Sequence, residues 1–394
     1  MKTTSPTAPS PCSSSSLPGD SVDPERPLQQ QQISSRQAYL SANTNAVAKK
    51  AQQRLHFWRV LRKNGISQKL LSAVHHQRQP PSCPPPVRPA PLWQTYFIPI
   101  ITTAESVHLR QEQRKQQLKE VCHADKETFS EMNRSLENMS RWEFQNLIVD
   151  DKHGIIYCYI PKVACSNWKR VMFVLRHSEP YPDPASIDRE FVHTPNMFPL
   201  LSRFQKTEIE VKLKHYTKFL FVRDPFVRLI SAYRDKFQHN KENEYFYQYY
   251  AKLIMRVYGN QANLPKTVGE AFASGVYPSF YSFIRYLLDP KTEWNQAFEP
   301  HWRQMYRLCH PCLIQYDFIG HQETLQEDAQ ELLKILNLEH YIKFPPSYEN
   351  MTSPDSVTNW FKTVPLQDRR RLYKIYKRDF NLFGYKRPNE LLDV

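Results

Sequence analysis

The residues best suited to chemistry lie in two stretches, "YIPKVACSNW" (159–168) and "FLFVRDPFVRLIS" (219–231). In the first, an apolar β-prone run enters a turn carrying Lys162, Ser166 and Asn167, and the chain then becomes helical. A turn between a strand and a helix N-terminus presents unpaired N–H groups and the positive end of the helix dipole, so it attracts anions. Lys162 adds a point charge, and Ser166 and Asn167 add side-chain donors. The phosphate loop of nucleotide hydrolases needs G-x-x-x-x-G-K-[ST]; this turn has neither glycine, and its lysine precedes the loop body, which disfavours a Mg-nucleotide hydrolase or kinase. The competing reading is a surface turn with a capping Ser/Asn pair.

In the second stretch Arg223 closes an apolar strand and Ser231 stands two turns into the next helix. A helix folded back over the strand end would let the Arg223 guanidinium and the Ser231 hydroxyl address one phosphate. The competing reading is a local Arg223–Asp224 salt bridge with Ser231 solvated. Two such turns in one sheet suit a ligand bearing two separated anionic groups.

The elements that must position these turns are legible from periodicity. "FQNLIVDDKHGIIYCYIPK" reads as a hairpin or two consecutive strands. Trp168, Val171, Met172 and Leu175 follow at helical spacing, and Leu229, Ala232, Tyr233 and Phe237 line one face of a second helix that Pro225 opens. Later amphipathic helices are expected in "FYQYYAKLIMRVY", "FYSFIRYLL", "AQELLKILNL" and "RRRLYKIYKRDF". Strands followed by helices predict an α/β domain with a central parallel sheet flanked by helices. Residues 105–122 look helical but polar on every face, which suggests a solvated stalk.

The 394-residue chain is expected to divide into a disordered Ser/Pro/Gln-rich region (1–92), a stem (93–140) and a folded domain (141–394). A net charge of +14 points to a polyanionic partner. The basic stretches lack RNA-recognition aromatics and zinc-finger spacing, which lowers the nucleic-acid option. Of seven cysteines, Cys309 and Cys312 have metal-ligand spacing but no second pair beside them, so oxidised pairing in a secretory lumen is the preferred reading. The sequons at Asn133, Asn138 and Asn350 agree weakly with that route. No segment approaches the ~20 apolar residues of a spanning helix.

With "NLIVDDKHGIIYCYIPK", "HWRQMYRLCHPC", "YDFIGHQETL", "FPPSY" and "LFGY", the two turns resemble the Golgi carbohydrate sulfotransferases, which include the HNK-1, dermatan and chondroitin 4-O enzymes. The resemblance spans roughly residues 140–390. It implies a single P-loop-like sulfotransferase domain that moves the sulfuryl group of 3′-phosphoadenylyl sulfate (PAPS) to a sugar hydroxyl without a metal. It implies that Pro161, Lys162, Val163, Ala164, Cys165, Ser166 and Asn167 wrap the 5′-phosphosulfate, with Lys162 on the leaving oxygen. It places Arg223, Asp224, Pro225, Phe226, Val227, Arg228, Leu229, Ile230 and Ser231 around the 3′-phosphate.

A general base is required as well, with His193 first, then His301, and Glu190 and Glu299 open. The implied acceptor is a chondroitin or dermatan chain, sulfated at the 4-O position of N-acetylgalactosamine in chondroitin, and Lys169, Arg170, Arg228, Lys236 and Arg303 are candidate contacts to it. An N-glycan acceptor, or an inactive polyanion-binding relative, is the alternative. The family implies a Golgi membrane location with a lumenal domain behind a signal-anchor helix, and residues 1–92 show no such helix.

Overall fold

The computed structural model describes residues 103–128, 135–239, 242–346 and 354–393. The expected disordered region and the sequons at Asn133 and Asn350 lie outside them.

Among the described residues four strands form one sheet in the order β1 (Leu147–Asp150), β2 (Ile155–Cys158), β3 (Thr217–Val222), β4 (Phe318–His321). The first two make the expected hairpin, while β2, β3 and β4 run parallel. Every residue of β2 and all but the first of β3 are buried, because helices cover both faces, which is why these strands read as continuous apolar runs. The sequence reading did not anticipate β4, a four-residue strand interrupted by Gly320. That glycine is required: a Cβ there would stand 2.1 Å from the Phe221 ring of β3.

Among the described residues the main helices are α1 (Thr103–Thr128), α2 (Cys165–Val174), α3 (Lys206–His215), α4 (Pro225–Tyr233), α5 (Lys252–Gly259), α6 (Phe280–Leu288), α7 (Leu325–Ile335) and α8 (Leu366–Leu382), with the eight-residue helix Pro354–Phe361 and shorter helical turns between them. The predicted apolar face of α2 is buried on the sheet, where Trp168 packs at ring distances of 4.8 Å and 5.1 Å from Phe219 and Phe221. The face of α4 that carries Leu229 and Tyr233 enters a second, all-helical core with residues of α5, α6 and α8. The first turn is thus anchored to the sheet core and the second to the helical core.

Helix α1 is not a solvated stalk. Gln111 lies buried against the outer strand β4, accepting from the Ile319 N–H (3.0 Å) and donating to its carbonyl (3.1 Å), as a neighbouring strand would. Arg114 adds bonds to the same carbonyl and to buried Asp328. The docked face mixes Gln111 and Arg114, which satisfy a sheet edge, with buried Val107, Leu118 and Cys122, and this interruption of the apolar stripe hid it from hydrophobic periodicity. Disulfides Cys122–Cys312 and Cys158–Cys309 fasten α1 and the end of β2 to the "CHPC" segment, occupying both thiols of the possible metal pair. Each closes a loop of well over a hundred residues, worth on the order of 4–5 kcal/mol by chain entropy.

Candidate active site

Parallel pairing of β2 with β3, Cys158 beside Leu220, brings both turns out at the same edge of the sheet, where open α/β sheets bind ligands. In the first turn Lys162 (φ 70°) and Ala164 (φ 48°) adopt left-handed backbone, a strain of roughly 1 kcal/mol or more each. Ala164 is the N-cap of α2 and has no side-chain acceptor to offer. The N–H groups of Ala164, Cys165 and Ser166 consequently have no acceptor among the described residues. Alternating backbone hands with unpaired amides at a helix start make an anion nest.

Arg228 holds this loop from within. Only 1% exposed, it donates to the carbonyls of Pro161 (3.0 Å), Pro300 (2.7 Å) and Arg303 (2.7 Å). A guanidinium committed to three carbonyls cannot also grip an acceptor or a phosphate, so the expectation for Arg228 changes from ligand contact to scaffold. Arg223 joins the two turns directly, its Nη1 donating to the Lys162 carbonyl at 3.2 Å.

The second turn is built differently. The Asp224 carboxylate accepts from the Phe226 and Val227 N–H groups (2.9 Å each) and caps α4 itself. Burial, aided by nearby Glu323, pushes Asp224 up to about 6. Positive charge for an anion here must therefore come from Arg223, not from helix amides. Asp224, Val227 and Ser231 are the incompletely buried positions from the cap through α4, and Asp235 prolongs their stripe four residues beyond Ser231 in the helical turn that follows. Asp235 on that stripe reaches Lys162 Nζ at 3.1 Å, so Ser231, one turn earlier, faces the same cleft.

Charges crowd this cleft. Although burial opposes it, Lys162 and Lys236 hold the Asp235 carboxyl well below its ordinary range, while burial pulls Lys162 down against Asp235. Ser166 Oγ and His193 Nε2 are 2.8 Å apart, and Lys169 Nζ is 3.4 Å from His193 Nδ1. Desolvation, then Lys169, Arg189 and Lys236, lowers His193 to about 3, so its ring is neutral at pH 7. An ammonium can only donate, which makes Nδ1 the acceptor and leaves Nε2–H to donate to Ser166. Both ring nitrogens of His193 are thereby engaged.

His301 differs: its Nδ1 lies 2.9 Å from both Glu299 oxygens, and Nε2 has no partner among the described residues. Burial lowers His301 and the Glu299 carboxylate opposes it; Lys236 and Lys162 lower it further, consistent with a place in the same cleft.

The structure thus brings Lys162, Ser166, Arg223, Ser231, His193 and His301 to one edge. Other members of the two stretches are walls: Pro161, Val163, Pro225, Phe226, Leu229 and Ile230 are buried. Asn167 is buried too, its amide directed to the Pro345 and Pro346 carbonyls (3.4 and 3.3 Å). Sequence reasoning missed Asp235 and Arg189, the latter 3.7 Å from Asp235. The available signal for Asp235 was its position four residues beyond Ser231.

Among the described residues no group of three or more His, Cys, Asp or Glu is arranged to hold a metal, and no helix is long and apolar enough to cross a membrane.

Residues 145–386 match the family model described as "Sulfotransferase family". A short second match, residues 40–77 to "Alkylated DNA repair protein alkB homolog 8, N-terminal", lies outside the described residues. The chain is 50% identical to carbohydrate sulfotransferase 12 of Mus musculus over 295 residues, covering 72% of this chain and 70% of the relative. It is 51% identical to that of Xenopus laevis (72% and 70%) and 37% identical to carbohydrate sulfotransferase 11 of Rattus norvegicus (76% and 82%). No solved structure matches.

Proposed function

The chain belongs to the sulfotransferase family, and from that premise we propose that it transfers the sulfuryl group of PAPS to the 4-O position of N-acetylgalactosamine in chondroitin. The observation that carries the reading is the nest of unpaired amides at Ala164, Cys165 and Ser166 beside Lys162, tied through Arg223 to the second turn. Those donors suit a phosphosulfate, Arg223 with Ser231 suits a 3′-phosphate, and the exit of both turns from adjacent parallel strands supports one nucleotide bearing both.

Bond formation from the acceptor oxygen to sulfur accompanies cleavage of the sulfur–oxygen bond to the 5′-phosphate. Negative charge gathers on the bridging oxygen, where Lys162 and the fixed amides do most good in the transition state. To stand there, Lys162 loosens its contact with Asp235. We assign the acceptor proton to His301 Nε2, with Glu299 holding the tautomer, in place of the sequence preference for His193. His193 instead fixes the Ser166 hydroxyl.

Two disulfides accord with an oxidising compartment, and the carbohydrate sulfotransferase relatives support a Golgi lumenal site. Transfer of radiolabelled sulfate from PAPS to desulfated chondroitin tests the reading. Lys162→Ala is expected to lower kcat by roughly 10²–10³ while adenosine 3′,5′-bisphosphate still binds. Full activity in that variant would sink it.

A further inference from the structure

Beside the reaction cleft lies a cavity of about 470 Å³ whose lining includes Trp142, Asn146, Arg303, Arg307 and Arg378. Its size is that of a small-ligand site. It is joined to the catalytic turn by backbone: Asn146 accepts from the Tyr159 N–H (2.9 Å) and its side chain donates to the Tyr159 carbonyl (3.0 Å), two residues before Pro161. On the other side Arg303 follows His301 by two residues, and its carbonyl receives Arg228.

The lining chemistry is specific. Arg303 uses Nε on the Phe298 carbonyl (2.6 Å), and its terminal amino groups have no acceptor among the described residues. Arg307 stands one turn on and pairs with Glu293 through Nη1 alone (2.8 Å). Burial and then the neighbouring Arg307 lower Arg303, while Glu299 and Glu293 oppose them, so the two guanidinium groups lie close together with only Arg307 directly paired to a carboxylate among the described residues. Arg378 lies over the Tyr306 ring at 4.5 Å. Glu143 also lines the cavity, with its carboxylate on the Ser140 N–H (2.8 Å) and hydroxyl (3.0 Å). Trp142 is 78% exposed, an indole face left open at the rim. Open indole stacks on the C–H face of a sugar ring, and paired guanidinium groups bind a carboxylate in fixed geometry.

We propose that this cavity binds a uronate of the acceptor chain, next to the sugar being sulfated, with its carboxylate on Arg303 and Arg307 and its ring against Trp142. The proposal rests on the sulfotransferase reading above and names the part of the acceptor that the enzyme selects.

The test compares kcat/KM on desulfated chondroitin with that on the same polymer after its carboxyl groups are reduced to alcohols. The wild-type enzyme is expected to prefer the native polymer by ~10-fold or more, the worth of a charge-assisted contact. Arg303→Gln should lose about that factor on the native polymer and little on the reduced one, so that the preference collapses. Trp142→Ala should lose activity on both polymers alike. Stabilisation by adenosine 3′,5′-bisphosphate in a thermal melt checks folding, and Arg307→Gln replaces Arg303→Gln should the latter fail it. Wild-type indifference to carboxyl reduction, or a preference that survives Arg303→Gln, overturns the proposal and leaves the sulfotransferase reading intact. Absence of transfer to chondroitin, with adenosine 3′,5′-bisphosphate still bound, overturns the chondroitin assignment and this proposal together.

Discussion

The turn after β2 and the turn after β3 leave adjacent parallel strands and both start a helix, yet they treat the helix N-terminus in opposite ways. The first leaves it open: Ala164 caps α2 with no side-chain oxygen, the backbone turns left-handed twice, and three amides face no acceptor among the described residues. The second closes it with Asp224, so the ligand charge falls to Arg223. On the proposed reading, one turn offers dipoles and a lysine where charge changes during reaction, and the other offers a rigid guanidinium where charge is constant. Identical topology would then divide into a reacting end and a holding end.

The sharpest way to break this contrast is to close the open turn. Ala164→Asp puts a capping carboxylate where Asp224 stands in the other turn, and aspartate tolerates left-handed backbone better than alanine does. We expect the fold to be retained or slightly stabilised and donor binding by calorimetry to become undetectable, since the carboxylate takes the nest. Unchanged donor affinity would show that the amides are not the site.

A smaller effect comes from the closed turn. Asp224→Ala should cost about 1 kcal/mol in urea denaturation, the worth of a helix cap. Asp224→Asn keeps a capping oxygen but removes the titration. With the folded carboxyl near 6 and the ordinary value 3.8, the folded state retains a proton that the unfolded state has lost between those values. The Asp224 contribution to stability therefore falls as pH rises from about 4 to 6, against a contribution from His193 and His321, lowered by burial to about 3, that rises over the same range. Asp379, also raised by burial to about 6, acts in the same direction as Asp224, so Asp224→Asn should shift the slope of stability against pH in the positive direction by one carboxyl's share. An unaltered slope would mean that Asp224 is not the buried carboxyl the cap requires.

Much of this contrast was visible in the order of residues. Lys162, Ser166, Arg223 and Ser231 stand in contiguous strand-turn-helix stretches, and the apolar faces of α2 and α4 follow the 3.6-residue period, so local reading sufficed. What escaped it depends on contacts between distant segments. Arg228 looks like a surface cation until carbonyls from Pro161, Pro300 and Arg303 converge on it. Asp235 gains meaning only against Lys162, and the engaged state of His193 only against Lys169 and Ser166. Helix α1 docks through amide and guanidinium groups on a strand too short to announce itself.

The division into reacting and holding ends is tested most directly by calorimetric titration of the wild-type protein and Arg223→Ala with adenosine 3′,5′-bisphosphate and with adenosine 5′-phosphate. The wild-type protein should prefer the bisphosphate by roughly 10–10², the worth of one guanidinium–phosphate contact, and Arg223→Ala should bind both ligands with nearly equal, weak affinity. A wild-type preference that survives in Arg223→Ala would contradict the assignment of the second turn, and with it the claim that the two turns hold one nucleotide.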